Sequence, residues 1–195
     1  MDLKMYLSQH PKKYLIFDLD GTIAKLHMDW TTFRRDIWDL VASFDKPLSV
    51  EIPYGPKTSF RLTNEAIRRH GAKARDIINT FIQGYELSHL SGYTINPELT
   101  QFIKTEKQYN YFLWSNQMPK TIEELLEKEG LKDRFQKIMT RDSVDFVKPD
   151  PQGFDLIYDP KENKKDYLMI GDLFADEQAA AGAGIDFFLV DYFNK

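Results

Sequence analysis

Four short apolar runs, at 14–19, 109–114, 167–170 and 186–190, constrain this chain more than any other feature, with a weaker fifth at 136–140. Each is rich in aromatic or branched residues, continuous rather than alternating, and too short for a helix. A strand that is apolar on both sides is buried on both faces, which is the habit of parallel sheets. Helical patterns lie between the runs. Residues 119–130 open with Pro119, carry Glu123, Glu124 and Glu127, and end at Gly130, a suitable C-cap. Residues 176–182 are alanine-rich with acids in the first turn, and 152–158 form a shorter candidate. This strand–helix alternation predicts an α/β fold with right-handed crossovers.

The stretch from 23 to 92 breaks the rhythm. Trp30, Phe33, Ile37, Leu40, Val41 and Phe44 recur at helical spacing, and 63–70 and 74–90 also read as helices. Residues 43–56 hold Pro47, Pro53, Gly55 and Pro56 and read as a loop. Residues 96–107 read as a helix leading back to the sheet. The expected organisation is a core made of 1–22 and 93–195, interrupted by a helical insert at 23–92. A chain of 195 residues has room for that core and a small insert.

Composition narrows the function. The chain is 42% hydrophobic and 29% charged, as folded proteins are. A net charge of -4 argues against general binding to nucleic acid or anionic membrane. Without cysteine there is no disulfide, thiolate zinc site or thiol nucleophile. No apolar stretch is long enough to span a membrane, and residues 1–13 lack the apolar core of a signal peptide, so a cytoplasmic location is expected.

The chemistry sits where the predicted strands end, which is where open α/β sheets bind ligands. Asp18-Leu19-Asp20-Gly21-Thr22 closes the first run, with two acids on one side of an extended chain and a glycine for the turn. Ser115-Asn116 follows the second run. Lys148-Pro149-Asp150-Pro151 lies beyond the weak fifth run, and Gly171-Asp172 with Asp176 follows the 167–170 run. Carboxylates, a hydroxyl and an ammonium together suit Mg²⁺ and a phosphoryl group.

With those four ordered clusters and an insert after the first, the chain resembles the haloacid dehalogenase superfamily, in its phosphatase branch with a helical cap. The resemblance covers nearly the whole chain and implies a Rossmann-like core. It implies that Asp18 is the nucleophile that forms an aspartyl-phosphate and Asp20 the general acid/base. Ser115, with Asn116, would bind the phosphoryl group, and Lys148 would stabilise its charge. Asp172 and Asp176 would hold Mg²⁺ together with Asp18 and the backbone carbonyl of Asp20. A carboxylate at Asp20 points to phosphate esters rather than to halides or phosphonates. The segment Ile23-Ala24-Lys25-Leu26-His27 departs from the pattern of many capped relatives.

The expected reaction is Mg²⁺-dependent hydrolysis of a small phosphorylated metabolite. The alternatives are a phosphomutase of the β-phosphoglucomutase type and a binding protein that kept the fold without the chemistry. His10, His27, His70 and His89 show no metal-ligand spacing and read as surface or insert residues. Trp30, Phe33 and Ile37 read as insert core rather than substrate pocket. Lys25, His27, Arg34 and Arg35 lie just past the first cluster, where an insert could close over substrate, and each taken singly reads as a solvated helix face.

Overall fold

The computed structural model describes residues 2–193. The elements run α1 (Leu3–Gln9), β1 (Tyr14–Phe17), β2 (Ala24–Leu26), α2 (Trp30–Phe44), α3 (Lys46–Glu51) and α4 (Ser59–His89). They continue with β3 (Tyr93–Ile95), α5 (Pro97–Thr105), β4 (Asn110–Trp114), α6 (Pro119–Lys128), β5 (Phe135–Met139) and α7 (Gln152–Asp155). The last are β6 (Tyr167–Gly171), α8 (Phe174–Ala183) and β7 (Asp186–Leu189). No helix among the described residues is long and apolar enough to cross a membrane.

The expected α/β architecture is the one adopted. A five-stranded sheet has the order β5-β4-β1-β6-β7, and every pairing in it is parallel. Its central strand β1 carries Leu15, Ile16 and Phe17, all fully buried. The two-residue period of a strand divides the runs between two cores. Leu15, Phe17, Leu113, Leu168 and Ile170 face one layer, which holds α1, α5 and α6. Ile16, Phe112, Trp114, Tyr167 and Met169 face the other, packed on Phe154 and the alanines of α8. Those alanines keep α8 close to the sheet, and Gly184, left-handed at φ 74, ends it.

The helical stretch between β1 and β4 has a core of its own, built from Phe33, Ile37, Val41, Leu62, Ile78 and Ile82, with Met118 from the sheet domain inserted among them. Gly71 (φ 64, ψ -149) breaks α4 into two helical segments, at the gap expected between 70 and 74. Two features of this stretch differ from expectation. The proline-rich stretch 43–56 is not wholly loop: it contains α3, because Asp45 caps Leu48 N–H and Pro47 occupies the first turn, where a missing N–H does no harm. Two three-residue strands, β2 and β3, pair antiparallel and frame the helical stretch; runs this short carry no readable period.

Candidate active site

The four polar clusters converge above the carboxyl ends of β1, β4 and β6. Asp18 follows β1 directly, and its N–H continues the ladder to the Ile170 carbonyl at 2.9 Å. Gly21 then turns the chain at φ 84. A Cβ at Gly21 would also run into the Asp172 carboxylate. Beyond the turn, Asp20 Oδ1 accepts from Leu26 N–H of β2 at 2.7 Å, which aims the carboxyl.

Lys148 is the hub. Its Nζ donates to Asp18 Oδ1 at 2.7 Å, to Asp176 Oδ1 at 2.6 Å and to the Trp114 carbonyl at 2.7 Å. That uses all three ammonium donors. The loop carrying it is tied on both sides. Asn116 clasps the Lys148 backbone, donating to its carbonyl at 2.9 Å and accepting from its N–H at 3.0 Å. Asn64 of α4 clasps Val147 in the same way, at 2.7 and 3.0 Å. The Lys148–Pro149 peptide is cis.

Electrostatics follow from burial. Burial raises Asp18 to about 7 against the opposing pull of Lys148. Asp20 also rises to about 7, chiefly through burial, with the Leu26 N–H working the other way. Asp172 rises to about 8 through burial and the repulsion of Asp18 and Asp176. Burial pulls the Lys148 ammonium down, but the attraction of Asp176 and Asp18 outweighs it and holds the group above its ordinary value.

Oxygens of Asp18, Asp172 and Asp176 lie within 4.8 Å of one another. Three carboxylates facing one ammonium leave excess negative charge, and an all-oxygen donor set suits a hard cation such as Mg²⁺. Asp172 is the freest of the three. Its one hydrogen bond among the described residues comes from Thr22 Oγ1 at 3.3 Å. Asp176 is more constrained, since its other oxygen accepts from Leu173 N–H at 3.1 Å. The Asp20 carboxyl stands outside this cluster.

Asp18, Asp20, Asn116, Lys148, Asp172 and Asp176 all line one cavity of about 340 Å³. Ser115 does not line it. Its buried hydroxyl donates to Gln117 Oε1, and Gln117 takes its place in the cavity wall. Neither Ser115 nor Asn116 caps α6, and Asp172 does not cap α8.

Several residues about the site are ones that sequence reasoning missed. Trp30, Phe33, Arg34 and Lys25 line the cavity, although Phe33 also packs in the insert core; His27 and Arg35 do not line it. Buried Glu86 of α4 accepts from Met118 N–H at 3.0 Å and from the Thr121 hydroxyl. Buried Arg141 donates to Asn79 Oδ1 at 3.0 Å and Thr63 Oγ1 at 3.2 Å. Asn64, Glu86 and Arg141 fasten α4 to the loops that hold Asn116 and Lys148. Glu86 shows in the sequence as a charged residue within an apolar helical pattern, a signal surface positions also give, and Asn64 and Arg141 carry no signal at all.

Comparison with known proteins places the chain in a family. The family model for haloacid dehalogenase-like hydrolases matches residues 15–190. Pyrophosphatase PpaX of Listeria welshimeri is 29% identical over 179 residues, covering 87% of this chain and 78% of the relative. A phosphoglycolate phosphatase of Vibrio vulnificus is 25% identical over 210 residues, covering 95% and 86%. Among solved structures, YfnB of Bacillus subtilis, bound to magnesium, superposes with a TM-score of 0.52 at 17% identity, covering 92% of this chain and 89% of that one.

Proposed function

The chain belongs to the haloacid dehalogenase-like hydrolases, as a phosphatase of that family, and on that premise we propose that it hydrolyses a small phosphate monoester in two displacements at Asp18. The observation that carries this reading is the Lys148 ammonium held between Asp18 and Asp176 where the strand ends converge. Asp18 and Asp172, with Asp176, would hold Mg²⁺. When bound, that ion supplies charge neutralisation for an incoming phosphate dianion.

The chain's own groups account for the rest. An Asp18 oxygen attacks phosphorus, and the bond from phosphorus to the ester oxygen breaks. Asp20, poised near neutrality by burial, gives its proton to the departing oxygen. It then takes a proton from the water that attacks the aspartyl-phosphate, releasing inorganic phosphate and restoring Asp18. Lys148 balances the charge on the transferring group without needing to move, and such preorganisation is a large source of catalysis. The helical stretch acts as a cap, because its residues wall the cavity and keep bulk water from the acyl phosphate. The cytoplasm is the proposed site of action.

The test is hydrolysis of p-nitrophenyl phosphate with and without Mg²⁺, followed by mass analysis of acid-quenched enzyme. Mg²⁺-dependent release of free phosphate and a phosphoryl adduct on the Asp18 peptide are expected. Turnover that persists after chelation, or an adduct on another residue, overturns the mechanism. Conversion of a sugar phosphate to its isomer instead of to phosphate would make the enzyme a mutase.

A further inference from the structure

The cavity above Asp18 has charged groups on its floor and walls of another kind. Its volume of about 340 Å³ lies at the small end of metabolite-sized sites. Trp30 and Phe33 of α2, Phe60 of α4 and Phe174 of α8 supply four aromatic rings to its lining. Trp30 and Phe33 meet edge to face, with centroids 5.5 Å apart. The Lys57 ammonium lies 5.2 Å from the centroid of Phe174, so the insert and the N-terminal end of α8 meet at one side of the opening. A phosphate group alone uses the polar floor and leaves the cavity-lining sides of these rings uncovered.

Among the rings sits Arg34. It lies one turn after Trp30, on the same face of α2. Its Nε is buried, and among the described residues nothing accepts a hydrogen bond from it. The guanidinium makes one long contact, from Nη2 to Thr31 Oγ1 at 3.4 Å. Nε is closed to water, whereas Nη1 makes no hydrogen bond among the described residues and is not closed off, so a ligand's acceptor reaches the guanidinium at its outer nitrogens. The planar guanidinium fork fits an oxyanion best.

We infer that Arg34 is a specificity-determining residue and that the substrate is a phosphate monoester whose leaving group is a flat, apolar body ending in an oxyanion. This rests on the phosphatase reading and names the substrate class of the same site. The phosphate goes to the floor at Asp18 and Lys148. The apolar body lies against Trp30, Phe33, Phe60 and Phe174, where aromatic faces favour it. The terminal oxyanion meets the outer nitrogens of the Arg34 guanidinium, which lines the cavity.

The experiment compares kcat/KM for 4-carboxyphenyl phosphate, phenyl phosphate and 2-phosphoglycolate, with Mg²⁺ present. The native enzyme is expected to prefer 4-carboxyphenyl phosphate over phenyl phosphate by about tenfold or more, the scale of a charge-assisted hydrogen bond. In Arg34→Ala that ratio falls toward one, and in Arg34→Lys part of it is kept. A native ratio near one, or a ratio preserved in Arg34→Ala, overturns the assignment of Arg34. A higher kcat/KM for 2-phosphoglycolate than for 4-carboxyphenyl phosphate overturns the apolar body. Failure to hydrolyse any ester would count against the phosphatase reading, and the subsite is then judged by calorimetry. 4-Hydroxybenzoate should bind about tenfold or more tightly to the native protein than to Arg34→Ala. Equal affinities would overturn the subsite by themselves.

Discussion

On the sheet side of the cavity, all three protons of the Lys148 ammonium have acceptors before any ligand arrives. On the insert side, the buried Nε of Arg34 has none. The first arrangement is complete in the free protein, and the second is the one that the proposed substrate would complete through the outer nitrogens of Arg34. The contrast separates two tasks. Groups that must be in place for bond breaking are fixed by a parallel sheet and by buried charge pairs. Groups that choose the leaving group stand on helices outside that sheet, where side chains can change without disturbing the floor. The first way to break the comparison is Asp18→Asn. The amide keeps the shape of the floor and removes the nucleophile. Turnover of p-nitrophenyl phosphate should fall at least about 10⁴-fold, as when a covalent catalyst is lost. Near-native activity would mean that the floor is scaffolding and the nucleophile lies elsewhere.

Lys148→Met probes the same floor through stability. It leaves Asp18 and Asp176 buried beside each other without their shared cation. Removing one partner from a buried ion pair typically costs about 3–5 kcal/mol. The loss should be greatest at pH 8. There the native Asp18 carboxyl, already raised to about 7 by burial, would have to ionise without Lys148. At pH 5 Asp18 takes up a proton and the loss shrinks. Urea unfolding at the two pH values measures this, and a loss under about 1 kcal/mol at both would show that the floor is not held by charge.

How much of this was readable along the chain depended on whether the signal was local. The apolar runs before Asp18, Ser115 and Asp172 are contiguous, so both the strands and the polar residues at their ends could be placed. Alternation between the two sheet faces is hidden in such runs, because both faces are apolar. Pro47 misled because the same ring that stops a helix interior is welcome in a first turn. The ties between insert and floor left no local trace. Asn64 and Val147 are 83 positions apart, and Arg141 and Thr63 are 78 apart. The family resemblance implies that Ser115 binds the phosphoryl group, but its hydroxyl donates to Gln117, two residues away. Trp30 and Arg34 sit at ordinary amphipathic spacing, and only the folded cavity distinguishes them from solvated or core positions.

Asn64→Ala tests whether roof and floor are as separate as the first contrast suggests. Asn64 belongs to α4 of the insert, yet it satisfies both backbone groups of Val147, beside Lys148. Truncation leaves a buried N–H and a buried carbonyl unpaired, at about 1–3 kcal/mol each before relaxation. A stability loss of about 2–4 kcal/mol is expected, together with a fall in kcat larger than the rise in KM, since Lys148 is displaced rather than removed. Native stability and kcat would mean that the insert walls the cavity without bracing its floor.

Glu86→Gln should produce the smallest change, one that depends on pH. Glu86 lies under α4, accepting from Met118 N–H and the Thr121 hydroxyl, with Arg141 and Asp20 as the charged groups acting across it. Burial raises its carboxyl from 4.5 to about 7. Between those values the native state holds a proton that the unfolded chain has released. Stability contributed by the protonated group is therefore full below about pH 4.5 and is lost as pH rises toward 7. Glutamine keeps the two acceptor contacts and cannot ionise, so its variant should lose less stability over that range. Relative to the native protein it should gain about 1–3 kcal/mol between pH 5 and pH 8 in urea unfolding. Asp18 and Asp172 are raised in the same direction and titrate in both proteins; Asp20 is raised partly by the Glu86 charge, so the difference between the two curves reports Glu86 together with its coupling to Asp20. Parallel curves would mean that Glu86 is ionised in the folded state at pH 5 as at pH 8, held by Arg141. The junction between insert and floor would then be an ion pair like that of Lys148, and the division between a charged floor and a neutral brace would not hold.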